Sequence, residues 1–491
     1  MDRAVLNYNH DEENFGFGEP AATPNSNATP AERLAFALIA IGLLVLGLQW
    51  GAGMLLGTWA GILGAFAPLL GGTTWLFWLR LKDTPPGIKH DAVFFRDVTS
   101  RGLIAWGLGI LITGFYIVLY FYDDLRFDHG MPLVLERPTR MLDPLSQLLA
   151  GKAANRWFLY GFLYTAAILV FGFRMFMKYR GNRYQQVRTA SVMIAQLGFA
   201  FLLPNLLMLF QQPEFYFSYF WPLKYDYLFP STVEYLSDSG RLGVFMVFWG
   251  AAMSFLATPI LTFFFGKRWY CSWVCGCGGL AETLGDPWRQ LSSKSALAWK
   301  IERALIYSVL GFIGLTTVLV WINSYQQGGL WGEWSFAFAK GYGFFIGAIF
   351  SGVIGVGFYP IMGSRVWCRF GCPMAAVLGI LQRTWSRFRI TTNGDQCMSC
   401  GNCSTYCEMG IDVRAYAEKG ENIVRASCVG CGVCSAVCPR GVLNLENGMS
   451  SKDRFDGADE GPIKVLIDSI KNGTQYPERE TMFHREGDSE T

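Results

Sequence analysis

Apolar and polar positions divide this chain in two. Long apolar runs dominate up to about residue 365, and beyond it the pattern turns polar and rich in cysteine. Eight apolar stretches have spanning length, near 34–56, 58–79, 103–122, 157–177, 190–210, 243–265, 304–322 and 341–362. At 1.5 Å per residue, about 20 residues cross a hydrocarbon core of about 30 Å. The pattern therefore predicts a polytopic α-helical membrane protein of about eight spans with a soluble C-terminal domain. Almost nothing joins the first two stretches, which predicts a tight hairpin or a partly re-entrant pair.

Basic residues orient the spans. Segments 80–102, 174–189 and 267–303 are dense in Lys and Arg, whereas 211–242 and 324–340 are poor in them, which predicts both termini in the cytoplasm. Loop 123–156 carries five basic residues and is the discordant count. Loop 211–242 is aromatic (FYFSYFWP) and reads as an anchor along the outer interface, with partner docking or a quinone pocket as the other readings. Gly347, Gly352, Gly355 and Gly357 predict close helix packing, and Gln196, Pro204 and Asn205 a kink, with a quinone contact there as a minor reading.

Composition narrows the chemistry. A net charge of +3 gives no reason to expect a nucleic-acid partner. The four histidines lie outside the apolar runs, against a haem held by paired histidines. No span carries an ionisable residue at its middle, no phosphate-binding loop is present, and no dinucleotide fingerprint is present. Segment 1–32 has no basic flank leading into an apolar core and reads as a disordered cytoplasmic leader rather than a signal peptide.

The cysteines carry the chemistry. Cys397-x-x-Cys400-x-x-Cys403-x-x-x-Cys407 is followed, after twenty residues, by Cys428-x-x-Cys431-x-x-Cys434-x-x-x-Cys438. This is the rhythm of two [4Fe–4S] clusters, in which the fourth cysteine of each run serves the other cluster. The expected sets are Cys397, Cys400, Cys403 and Cys438 for one, and Cys428, Cys431, Cys434 and Cys407 for the other. The second run ends in Cys438-Pro439, the first in Cys407-Glu408. A ferredoxin-like α+β domain is expected over 391–445, preceded by membrane regions 33–242 and 243–390 and followed by a polar tail 446–491, with one short helix near 464–473. Thiolates of this kind need a reducing compartment, so the domain is placed in the cytoplasm.

A second cysteine pattern is duplicated. Gly266, Arg268, Cys271 and Cys275 recur as Gly363, Arg365, Cys368 and Cys372, each 97 residues on. Two helical hairpins are expected to pack as copies and bring the four thiols together. They read as ligands of a further cluster, as ligands of a soft metal such as Cu(I), as redox thiols favoured by Arg268 and Arg365, or as packing. Cys277 has no counterpart and is a fifth ligand or a spare thiol.

With its paired Cys-x-x-x-Cys motifs and two-cluster segment, the region 243–440 resembles the membrane-bound polyferredoxins of the NapH/NosR type, which include the CcoG/FixG oxidase-assembly proteins. The second motif keeps the family proline (Cys372-Pro373), the first has Cys275-Gly276, and no flavin-attachment signature is present. The resemblance implies a bacterial inner-membrane protein relaying electrons between a quinone pool or cytoplasmic donor and an acceptor at or across the membrane, with redox partner proteins and membrane lipid around it. Reduction of Cu(II) for oxidase maturation, and a structural relay subunit in a larger complex, are the alternatives. Whether the chain is itself an enzyme is left open.

Overall fold

A computed structural model of the chain describes residues 28–83, 99, 101–121, 133–326, 332–393 and 396–446. The expected leader up to 27, and the tail from 447 with its helix near 464–473, lie outside the described residues. Among the described residues eight helices are long and apolar enough to cross a membrane: α1 (Pro30–Ala52), α2 (Trp59–Leu81), α3 (Leu103–Tyr120), α4 (Arg156–Lys178), α5 (Arg183–Leu209), α6 (Arg241–Phe265), α7 (Ala296–Tyr325) and α8 (Trp334–Ile354).

Local chemistry shifts the ends from the hydropathy windows. α1 starts four residues earlier than the apolar run, because Thr29 and Glu32 form a reciprocal capping box with Pro30 at the first turn. It stops at Gly53, whose φ of +70° ends the helix. α8 ends at Ile354, and the expected continuation to 362 is instead a turn and the short helix Tyr359–Met362. The α1–α2 hairpin is tight: Gln49 Nε2 donates to Gly61 O at 2.9 Å, and a Cβ on Gly42 or Gly72 would strike the partner helix.

Three spans contain π-helical stretches: Ala195–Leu202 in α5, Met253–Ala257 in α6 and Gly343–Ile354 in α8. In α5 and α6 the stretch leads into Pro204 and Pro259, whose missing N–H and ring disrupt the regular ladder. The expected kink at Gln196–Asn205 is thus a wide turn, in which Gln196 bonds Thr165 and Asn205 bonds Phe201 O. The glycines of α8 and of the turn after it pack closely, with Gly352 against Tyr116 and Tyr120 and Gly357 against Thr113.

The aromatic loop differs from its expected place along the outer interface. Phe220 is buried, stacks on Trp269, and shares one core with Cys271, Cys275, Cys368 and Cys372. Tyr270 donates to Ser218 O at 2.8 Å. Apolar rings so dense in one loop gain more by covering the buried motif than by lying in the interface.

Basic residues also have local duties. Arg137, in the discordant loop, donates to Trp50 O and Gly51 O at the C-terminal end of α1, where carbonyls lack partners. After α8 the chain forms the helix Pro373–Trp385 and then the Cys-rich domain, closed by an antiparallel pair of β1 (Arg389–Thr392) and β2 (Leu443–Glu446).

Candidate metal centres

The Cys-rich domain is an internal repeat at atomic detail. Gly401 and Gly432, both left-handed, precede the one-turn helices Asn402–Thr405 and Val433–Ala436. Each helix ends two residues before the fourth cysteine of its run, and the next loop returns a backbone N–H to that sulfur: Ile411 to Cys407 Sγ at 3.4 Å, Val442 to Cys438 Sγ at 3.3 Å. The structure brings Cys397, Cys400, Cys403 and Cys438 around one cavity of about 20 Å³. Cys407 lies with Cys428, Cys431 and Cys434, close enough for their charges to interact. All thirteen cysteines are free thiols.

Burial differs between the sets. In the first set Cys400 is exposed, Cys397 and Cys438 are half-buried and Cys403 is buried, whereas in the second Cys407, Cys428 and Cys434 are buried and Cys431 is half-buried. Burial pushes the Cys403 thiol up to about 12 and Cys428 to about 11. Such thiols do not ionise unaided; a bound cationic centre inverts that preference.

The duplicated motifs converge as the repeat predicts. Both follow an interrupted helix: α6 ends at Gly266 and the helix Tyr359–Met362 at Gly363, with φ of +67° and +96°. The ψ values of −173° and 167° put both in a region open essentially to glycine. A short helix then carries each first cysteine, Arg268–Cys271 and Val366–Phe370, and each second cysteine stands just before a further helix, Gly276–Glu282 or Pro373–Trp385. The Ala375 N–H points at Cys372 Sγ at 3.4 Å. Burial pushes Cys271 to about 12, while a hydrogen bond from the Cys277 thiol and backbone N–H groups hold Cys275 near 7. Cys277 is partly buried beside Cys275, on the side facing the tyrosines of α3 and α4.

The two repeat arginines do not act alike. Arg365 Nη1 reaches Cys368 Sγ at 3.8 Å and Cys271 O at 3.4 Å. Arg268 instead lies over the Phe388 ring, 4.3 Å from its centroid, and donates to Phe265 O. The basic neighbour of Cys271 on that side is Lys267, fully buried, whose Nζ donates to Ala426 O at 3.2 Å.

A buried ionic layer joins the two cysteine regions. Arg365 Nη2 donates to Glu282 Oε1 at 2.7 Å and Glu408 Oε1 at 2.9 Å. Arg188 donates to Glu282 Oε2 at 2.8 Å and also to Cys431 O. Asp286 accepts from Arg174 at 2.8 Å, from Lys178 at 2.6 Å and from Arg289. Five basic side chains thus meet three carboxylates, an excess of positive charge suited to anionic thiolate centres. Burial raises Glu282, whereas Arg365, Arg188 and Arg289 outweigh burial and lower Glu408.

Neutral bonds complete the docking. Ser272 donates to Val429 O, Gln185 to Cys431 O, Gln382 to Cys428 O, and Ser292 to Glu408 O, all between 2.6 and 2.9 Å. The sequence pattern left Glu282 and Asp286 unassigned and gave Lys267 only as one basic residue of an inner loop; the available signal was a pair of acids standing among basic and apolar residues. It noted Glu408 only as a missing proline. Among the described residues no three Cys, His, Asp or Glu side chains converge as they would on a single ion.

Comparison with known proteins fits this geometry. Residues 389–439 match the family described as 4Fe-4S dicluster domain, and 247–295 and 342–393 match that described as 4Fe-4S binding domain. The second description falls twice, once on each copy of the duplicated motif. Over 170 residues the chain is 28% identical to "Putative electron transport protein YccM" of Escherichia coli (strain K12), a match covering 33% of this chain and 47% of that relative. The chain thus spans about half the length of that curated relative. No solved structure matches. The chain thus carries 4Fe-4S domains together with eight candidate membrane helices among the described residues.

Proposed function

We propose that the chain passes electrons between a soluble partner on the cytoplasmic side and the membrane quinone pool. Three thiol sets would hold the iron: Cys397, Cys400, Cys403 and Cys438; Cys428, Cys431, Cys434 and Cys407; and Cys271, Cys275, Cys368 and Cys372. When bound, [4Fe–4S] groups supply one-electron chemistry at potentials that the surrounding charge and hydrogen bonds set.

One observation carries this reading: the loop Cys428–Cys434 is bonded through its carbonyls to α5, to the first copy of the membrane-end motif and to the helix that follows the second copy. Cys400 of the first set is exposed, whereas three cysteines of the Cys428 set and all four of the membrane-end set are buried, so burial deepens from the solvent side toward the membrane helices as an electron relay needs. Arg365 and Lys267 compensate negative charge at the membrane end, and loop 211–229 shields it from the outer side. Cys277 is the spare thiol of this arrangement. The basic inner loops favour a cytoplasmic ferredoxin domain.

Anaerobic purification followed by a spin-quantified EPR redox titration tests the reading. Three [4Fe–4S] signals, one absent from C271S/C368S, support it. Two signals unaffected by that variant remove the membrane-end centre, and a single-ion copper signal in its place favours the metallocentre-assembly alternative.

A further inference from the structure

A cavity of about 260 Å³ opens where α7, the helix Pro373–Trp385 and segment 424–427 meet. Its wall includes Cys368 on one side and Ala426 and Ser427, directly before Cys428, on the other. It therefore touches the membrane-end set at Cys368 and reaches the segment directly before Cys428.

The cavity is strongly cationic. Arg303, Arg369, Arg383 and Arg425 line it, with Glu302 as the carboxylate among them. Arg369 Nε engages Glu302 at 2.7 Å and its Nη1 donates to Ser293 O, so that pair is internally satisfied. Arg425 donates to Tyr416 OH and lies over the Trp299 ring at 4.3 Å; Arg303 lies over the same ring at 4.5 Å. Among the described residues no carboxylate pairs with Arg303, Arg383 or Arg425. Three guanidiniums turned toward one space are a fit for a phosphate group, which accepts their forked donors.

The rim names the source. Trp299 and Tyr307 line the cavity on α7 and are themselves exposed there, so an apolar surface runs from the cavity along that span. A ligand with a phosphate head and apolar chains satisfies both surfaces at once. Basic pockets between helices at the inner membrane boundary hold anionic lipid head groups in this way.

We propose that this cavity is a phosphate-binding site, occupied by the head group of an anionic phospholipid whose acyl chains lie along α7. The site assignment stands on the arginines alone, while its contact with electron transfer rests on the function proposed above.

The full chain in nanodiscs of phosphatidylcholine with a minor share of phosphatidylglycerol, assayed by native mass spectrometry, tests it. Phosphatidylglycerol is expected to be retained preferentially. R383Q/R425Q should weaken retention about tenfold, and R383K/R425K should restore most of it. Should the double variant fail to fold, R303Q at an exposed position gives the same direction. Calorimetric titration with inorganic phosphate distinguishes the source: tight binding without lipid preference keeps the phosphate site and assigns it to a soluble ligand. Absence of both, or retention indifferent to the arginines, overturns the site. Visible absorption of the same samples reports the iron–sulfur groups separately, so a failure of the electron-transfer reading is not mistaken for failure of this one.

Discussion

Arg365 Nη2 donates to Glu408 Oε1 at 2.9 Å, joining the second membrane-end motif to the residue that follows Cys407. The second run has Pro439 at the equivalent place. The missing proline is thus a gained carboxylate that docks the Cys-rich domain onto the membrane helices.

Replacing Arg365 by Gln leaves Glu282 and Glu408 competing for fewer buried cations. Breaking a buried ion pair costs about 3–5 kcal/mol. Denaturant titration in detergent, followed by tryptophan fluorescence, should show a loss of that size. Lys should recover only part of it, since one ammonium cannot reproduce the guanidinium fork on two carboxylates and a thiol.

Glu408→Gln should act differently, because Arg365 keeps Glu282. Iron content is expected to stay unchanged while hydrogen exchange of 396–446 rises. Equal exchange in the variant and parent would remove Glu408 from the docking.

Three filled sets correspond to about 12 irons per chain. C271S/C368S should lower this to about 8 by elemental analysis, and C277S should leave it unchanged. A loss of iron in C277S would make Cys277 a ligand.

Gly266 and Gly363 each turn the chain from a helix into its cysteine motif at a φ that L side chains rarely adopt. A Cβ would also lie 2.6 Å from Phe388 at Gly266 and 2.5 Å from Ser292 Oγ at Gly363. Alanine at either position should lower thermal stability and strip iron from the membrane-end set. A stable variant with full iron at either site would contradict the strain argument.

Within 396–446 the regular structure is helices of four to six residues and one strand of four. Segments this short do not hold themselves. Removing iron with a chelator should therefore raise hydrogen exchange across this domain while α1 to α8 keep their protection, since metal binding there is coupled to folding.

Several features were legible without coordinates. The eight spans follow from runs of apolar residues, because solvation of a helix in lipid is a local, additive property. The spacing of Cys397–Cys407 and Cys428–Cys438 is equally local: an x-x gap fixes how closely neighbouring thiols can approach. The repeat of Gly, Arg, Cys and Cys at a constant offset indicated two copies of one unit, and the convergence of the thiols followed from it.

The partners of the charges were not legible. Arg268 and Arg365 occupy equivalent places, yet one lies over Phe388 and the other reaches Cys368, Glu282 and Glu408. That difference depends on residues far off in sequence. Arg174, Lys178 and Arg188 looked like surface charges that orient a loop, but the docked domain buries them against Asp286 and Glu282. Loop 211–242 had the composition of an interfacial belt, and only the packed helices offered Phe220 the apolar site beside the thiols. Sequence alone determined the spans, the cysteine rhythm and the duplication, since each rests on neighbours along the chain. Tertiary structure alone decided which charge meets which and what covers the buried thiols, since burial and pairing depend on distant segments meeting in space.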